Sequence, residues 1–162
     1  MIPLADQHKV TYFKRFKMEV DLHEVPPVPP LTDGYRWIAW ENSLLDVHAE
    51  VMFRSFQSEV DALVFPSLGD RIGSSVLMQE IRSKSGFLPQ ATWLLASAAG
   101  YCGCIQGLWE RSRLGAIQNL AVTPGHRGRD SNQRPRSGLG GGGPIPPRLS
   151  PGPGPASPRW KI

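Results

Sequence analysis

The residues best suited to do chemistry run from Gly115 to Asp130, GAIQNLAVTPGHRGRD. An apolar run broken only by Gln118 and Asn119 meets Thr123-Pro124 and then a cluster of glycine and arginine. A buried strand that stops at a proline and opens into backbone amides flanked by guanidinium groups presents donors to a polyanion, here expected to be a pyrophosphate.

Such a segment works only if other elements hold it. Thr11 to Asp21 alternates loosely and is rich in aromatics, as an edge strand is. Val25 to Pro30, with four prolines, predicts a stiff extended connector. Tyr35 to Trp40 sets Tyr35, Trp37 and Ala39 on one face and Arg36, Ile38 and Trp40 on the other, which predicts a strand with both faces partly covered. Ser43 and Asp46 have the spacing of a capping box. Leu44, Leu45, Val51, Met52, Phe56, Val60 and Leu63 follow at helical spacing and predict a core-facing helix that ends at Pro66. A second helix is predicted from about Asp70 to Lys84, with Ile72, Val76, Leu77 and Ile81 as its stripe, Gly73 weakening its first turn and Gly86 as its C-terminal cap. Strands follow at Thr92 to Ser97 and Tyr101 to Leu108, joined by Ala98, Ala99 and Gly100 in a hairpin. Glu110 to Leu114 reads as a charged turn, and Gly115 to Thr123 as a third strand. The order alone predicts an α+β fold.

Asn119-Leu120-Ala121-Val122-Thr123-Pro124, followed by His126-Arg127-Gly128-Arg129, resembles the acyl-coenzyme A binding segment of the GCN5-related N-acetyltransferases (GNAT). In that family a strand ending in a V-x-P turn precedes an R/Q-x-x-G-x-G/A loop and a helix. Arg127, Gly128 and Arg129 match the opening of the common R-G-R-G-x-G form, and Asp130 stands where its next glycine belongs. The resemblance runs from Gly34 to Arg129. It implies a partial GNAT-like fold, a mixed and mostly antiparallel sheet with two N-terminal helices. An incomplete acetyltransferase domain over 34–129 would then follow an edge strand and connector over 1–33.

The chemistry the resemblance implies is transfer of an acyl group from acetyl-CoA, as co-substrate, to an amine, with no metal. Main-chain groups at Leu120, Ala121 and Val122 would pair with the pantetheine arm as a missing strand would. Amides around Arg127, Gly128, Arg129 and Asp130 would bind the pyrophosphate, aided by the dipole of a following helix. Transfer needs the amine deprotonated, and Glu59, Asp61 and Glu110 are candidate bases among which residue type does not choose. The family's later acid, often a tyrosine beyond the coenzyme-binding helix, has no counterpart, because Tyr101 is the last tyrosine. Catalytic residues are therefore unassigned, and so is the acceptor.

From Pro124 to Ile162, 18 of 39 residues are Gly or Pro, with seven basic residues and one acidic. No run there buries enough apolar surface to offset ordering entropy, so 130–162 is expected to be a disordered tail. The family has a helix and further strands in that place, and none is expected here. The break at Asp130 has the look of a reading frame changed within a G+C-rich gene, leaving a truncated and inactive product as one alternative. The tail carries a net charge of +6 and residues 1–123 carry −2, so the pI near 9.4 belongs to the tail. A basic-tail binder of nucleic acid or an acidic partner is a further alternative, supported by charge alone.

The remaining signals have plain explanations. Cys102 and Cys104, two apart on a strand, are too distant for an unstrained bridge and too few for a zinc site, which predicts two buried free thiols and a reducing cytoplasm. His8, His23, His48 and His126 show no paired metal-ligand spacing. Lys9, Lys14, Arg15 and Lys17, interleaved with Tyr12, Phe13 and Phe16, could stack on and neutralise a single strand of nucleic acid, and the exposed charged face of an edge strand explains them as well. Gly138 to Gly143 lacks the lysine and strand-helix frame of a phosphate-binding loop. No window approaches the apolar length of a membrane span, so the chain is expected to be soluble, with no membrane partner.

Overall fold

The computed structural model describes residues 12–13, 18–21, 30–111, 114–128 and 159–161. Among the described residues six strands form one sheet: β1 (Glu19–Asp21), β2 (Arg36–Ala39), β3 (Phe87–Ser97), β4 (Gly100–Arg111), β5 (Leu114–Val122) and β6 (Arg159–Lys161). Their order is β1-β6-β5-β4-β3-β2. Every pairing is antiparallel except β5 with β6. Three helices, α1 (Leu45–Phe56), α2 (Val60–Val64) and α3 (Arg71–Ser83), lie between β2 and β3. This is the mixed, mostly antiparallel α+β arrangement expected of the sequence. No helix among the described residues is long and apolar enough to cross a membrane.

The core lies between the sheet and the pair α1 and α3. Ala49, Val51 and Met52 of α1 and Met78 and Ile81 of α3 pack on Leu94, Cys104, Leu108 and Ala121. The two helices are also joined at their rim, where Arg71 pairs with Glu50 and lays its guanidinium over the Phe53 ring at 4.9 Å.

The helices depart from their predicted form in ways the backbone explains. Ser43 does not cap α1: a 3-10 turn over Asn42–Leu44 precedes the helix, and the Ser43 hydroxyl donates to Glu41 instead. The predicted single helix breaks after Phe56, because the Glu59 amide donates to the Phe56 carbonyl three residues back and Glu59 takes an extended conformation. The break discards the helical phase, so Val60 and Leu63, expected in the core, are exposed. In α3 the buried face is Ser74, Met78 and Ile81, with Ile72 and Val76 outside. Gly73 sets that rotation: a Cβ there would run into Ser67 and the Asp70 carboxylate, so its absence lets the first turn seat closely. Asp70 caps the turn, accepting from the Gly73 amide at 2.7 Å. Gly86 is not a left-handed cap. It is where the chain passes against Trp109, whose amide donates to the Gly86 carbonyl at 2.6 Å.

β3 begins five residues before the predicted Thr92, at Phe87. Its early part bulges around Pro89, and Thr92 closes the bulge by donating to the Leu88 carbonyl at 2.9 Å. The predicted hairpin forms at Ala98 and Ala99, with Gly100 at φ 114°. In β5 the register against β4 shifts between Asn119, opposite Gln106, and Ile117, opposite Gly107. Gln118 is the extra residue.

Among the described residues the expected N-terminal edge strand forms at Glu19–Asp21; Tyr12 and Phe13 are exposed outside any strand, and 11 and 14–17 lie outside the described residues. The Val25 to Pro30 connector is described only at Pro30. Of the expected Glu110 to Leu114 turn, β4 takes the residues to Arg111 and β5 starts at Leu114, and 112–113 lie outside the described residues. Of the tail, 130–158 and 162 lie outside. Arg159–Lys161 corrects the expectation that the tail adds no strand, since the open edge of β5 supplies a partner to any extended segment within reach.

Candidate functional site

β5 delivers the glycine-arginine segment to one end of the sheet. Val122 lies opposite Gly103, and the Thr123 amide and hydroxyl both donate to the Cys102 carbonyl, at 2.8 and 3.2 Å. Pro124 then starts a 3-10 turn through His126. The His126 and Arg127 amides donate back into that turn, to Thr123 and Pro124 at 2.9 and 3.3 Å. Gly128, at φ 65°, takes the left-handed conformation that favours glycine. Arg129 and Asp130 lie outside the described residues.

The outer edge of β5 is divided. Along it β6 reaches only Leu114, Gly115 and Ala116. From Ile117 onward no described strand lies alongside. Leu120 is 57% exposed, Ala121 is buried under α1 and Val122 is half-buried. The three positions expected to meet a pantetheine arm thus lie where no described strand runs alongside, although the Val122 carbonyl accepts from Arg127, and the edge ends at the turn expected to meet phosphates.

Arg127 was expected at a pyrophosphate, and its guanidinium is engaged by the protein. Nε donates to the Val122 carbonyl at 2.8 Å, one terminal nitrogen donates to the Ser55 carbonyl at 2.6 Å, and the other pairs with Glu59. Of the candidate bases, Glu59 is therefore drawn to this end of the sheet and tied there. Asp61 lies in the first turn of α2. Glu110 is remote: it sits seven positions along β4 from Gly103, which is about 23 Å at a strand's rise.

Two features escaped sequence reading. The Tyr35 hydroxyl lies 2.8 Å from His126 Nδ1, with the rings edge-to-face at 5.7 Å, so the residue before β2 buttresses the turn after β5. No local pattern signals a pair 91 residues apart. The second is a polar cluster beneath the sheet, where His48 Nδ1 lies 3.1 Å from Gln106 Nε2 and Asn119 is the cross-strand partner of Gln106. His48 Nε2, Gln106 Oε1 and Asn119 Nδ2 are buried with no hydrogen-bond partner among the described residues. Burial pushes the His48 imidazole down from 6.5 to about 4, so it is neutral.

Cys102 and Cys104 are buried, and neither is in a disulfide among the described residues. Burial pushes the Cys104 thiol up to about 12, an unreactive state. A cavity of about 480 Å³ lined by Trp40, Glu41, Asn42, Arg82, Phe87 and Pro89 lies at the opposite end of the sheet, away from every residue named for the coenzyme.

No family model matches the sequence, and no curated protein is significantly similar to it. Among solved structures, a GCN5-related N-acetyltransferase from Sphaerobacter thermophilus superposes with a TM-score of 0.52 at 19% identity, over 70% of this chain and 33% of that one. The aminoglycoside N-acetyltransferase AAC(6')-Iy in complex with CoA aligns over 73% of this chain and 64% of that one at 11% identity, with a TM-score of 0.35, too low to indicate a shared fold. The chain spans about a third of the length of the Sphaerobacter protein. Over most of its own length, then, this chain has a fold found in a GCN5-related N-acetyltransferase.

Proposed function

We propose that the chain binds an acyl-coenzyme A along the open half of β5 and is N-acetyltransferase-like, with acetyl-CoA as the donor and an amine as the acceptor. The observation that carries this reading is the open edge at Leu120 to Val122 leading into the Pro124 turn, in a fold shared with a GCN5-related N-acetyltransferase. Exposed strand groups would pair with the amides of the pantetheine arm, fixing the depth of the thioester. Phosphates would lie at the turn, near Gly128.

In the transfer, the amine nitrogen would attack the thioester carbonyl carbon, the carbon–sulfur bond would break, and the amine's proton would leave for a base while the coenzyme departs as its thiol. Of the candidate bases, Glu59 is tied to the end of β5 through its pair with Arg127. The buried free thiols fit a reducing cytoplasm.

Calorimetric titration with acetyl-CoA tests the reading. Saturable binding in the micromolar range is expected, weakened at least about tenfold by Gly128→Val, which forces a β-branched residue into the left-handed region. No saturable binding up to millimolar acetyl-CoA would end the proposal.

A further inference from the structure

We propose that Arg127 is a positioning residue for the coenzyme-binding edge, a staple from the end of β5 to the C-terminal turn of α1, and that it does not contact phosphate itself. The inference rests on the coenzyme reading above.

Three contacts made by one guanidinium carry it. Nε holds the Val122 carbonyl at 2.8 Å, closing the turn that runs from Val122 to Arg127. One terminal nitrogen holds the Ser55 carbonyl at 2.6 Å, and the other pairs with Glu59. Ser55 gives this geometry its logic. In an uninterrupted helix the amide of residue 59 would donate to the carbonyl of residue 55. Here it donates to Phe56, because α1 breaks at that point, and the Ser55 carbonyl loses its helical donor. Arg127 supplies one from 72 residues away, at the end of a helix where a positive charge is favoured. Glu59 at the break fixes the other prong of the fork. A planar guanidinium satisfies all three acceptors together, and a lysine ammonium does not reproduce that fork.

Val122 is the last residue of the edge expected to pair with the pantetheine arm. Holding its carbonyl sets where the edge ends and where the turn begins, so loosening the staple should disturb the whole coenzyme rather than its phosphates alone.

The test compares coenzyme A with pantetheine, which has no phosphate, in binding to full-length wild type, Arg127→Ala, Arg127→Lys and Glu59→Gln. A staple predicts that Arg127→Ala weakens both compounds by a similar factor, about tenfold for loss of charge-assisted hydrogen bonds, with Arg127→Lys only partly restoring them. Glu59→Gln should weaken both as well, although it removes a negative charge near the phosphates. A direct phosphate contact predicts the opposite: Arg127→Ala weakens coenzyme A alone, and Glu59→Gln tightens it. That pattern would overturn the proposal. If wild type binds neither compound, the coenzyme reading fails. The staple is then judged by thermal melting, where additive effects of Arg127→Ala and Glu59→Gln would refute it and non-additive effects would support it.

Discussion

At the scale of the residue, the buried His48–Gln106–Asn119 cluster has the most measurable consequence. The imidazole is fully buried, and desolvation holds it neutral to about pH 4. The unfolded chain takes up that proton near pH 6.5, so between the two values it binds more protons than the folded one, and stability falls as pH falls through that window. In urea unfolding, wild type should lose about 2 kcal/mol more than His48→Gln between pH 7 and about pH 4.5, and equal losses would show that burial does not govern this histidine. Nothing in the sequence separated His48 from the other three histidines, since its burial depends on the helical phase of α1 and on Gln106, 58 residues on. Arg127 is similar. Its place after a V-x-P turn was legible, but its three acceptors come from a helix end and a break that no local pattern announces.

At the scale of the element, local chemistry predicted strands better than helix phase. The hairpin at Ala98 to Gly100 and the third strand into Thr123 formed as expected, because glycine and proline signals set their ends directly. Helix faces depended on what the helix met. α3 turned its Met78 side inward and left Ile72 out, since Gly73 and Asp70 fix how its first turn sits against Ser67. Asp70→Ala should therefore cost about 1 kcal/mol of unfolding free energy, the usual value of a lost side-chain cap, measured by chemical denaturation. A change under a few tenths of a kcal/mol would mean that the Gly73 contact seats the helix without its cap.

At the scale of the whole molecule, one sheet face packed by α1 and α3 makes a core that the described residues share from β2 to β5. Leu94 is fully buried at its centre, with Ile38 and Cys104 as its cross-strand neighbours. Leu94→Ala should lower the unfolding free energy by about 3 kcal/mol, read as an earlier but still cooperative thermal transition. The fold class was legible because element order and apolar content survive errors of phase. The division of the β5 edge was not, because β6 joins it from the far end of the chain, across composition that predicted no strand.

One residue of β5 determines what that edge offers. Ala116 and Ala121 both turn inward although five positions separate them, and strict alternation forbids this unless a residue is absorbed between them, as Gln118 is. Deleting Gln118 would leave these faces as they are, whereas drawing Gln118 into regular alternation would turn the far half of the strand over. The bulk of Leu120 would then be driven under α1, and the small Ala121 would be left facing solvent. The shape of the open rim is thus set by the one residue held out of the ladder, and it lasts only while the bulge at Gln118 does.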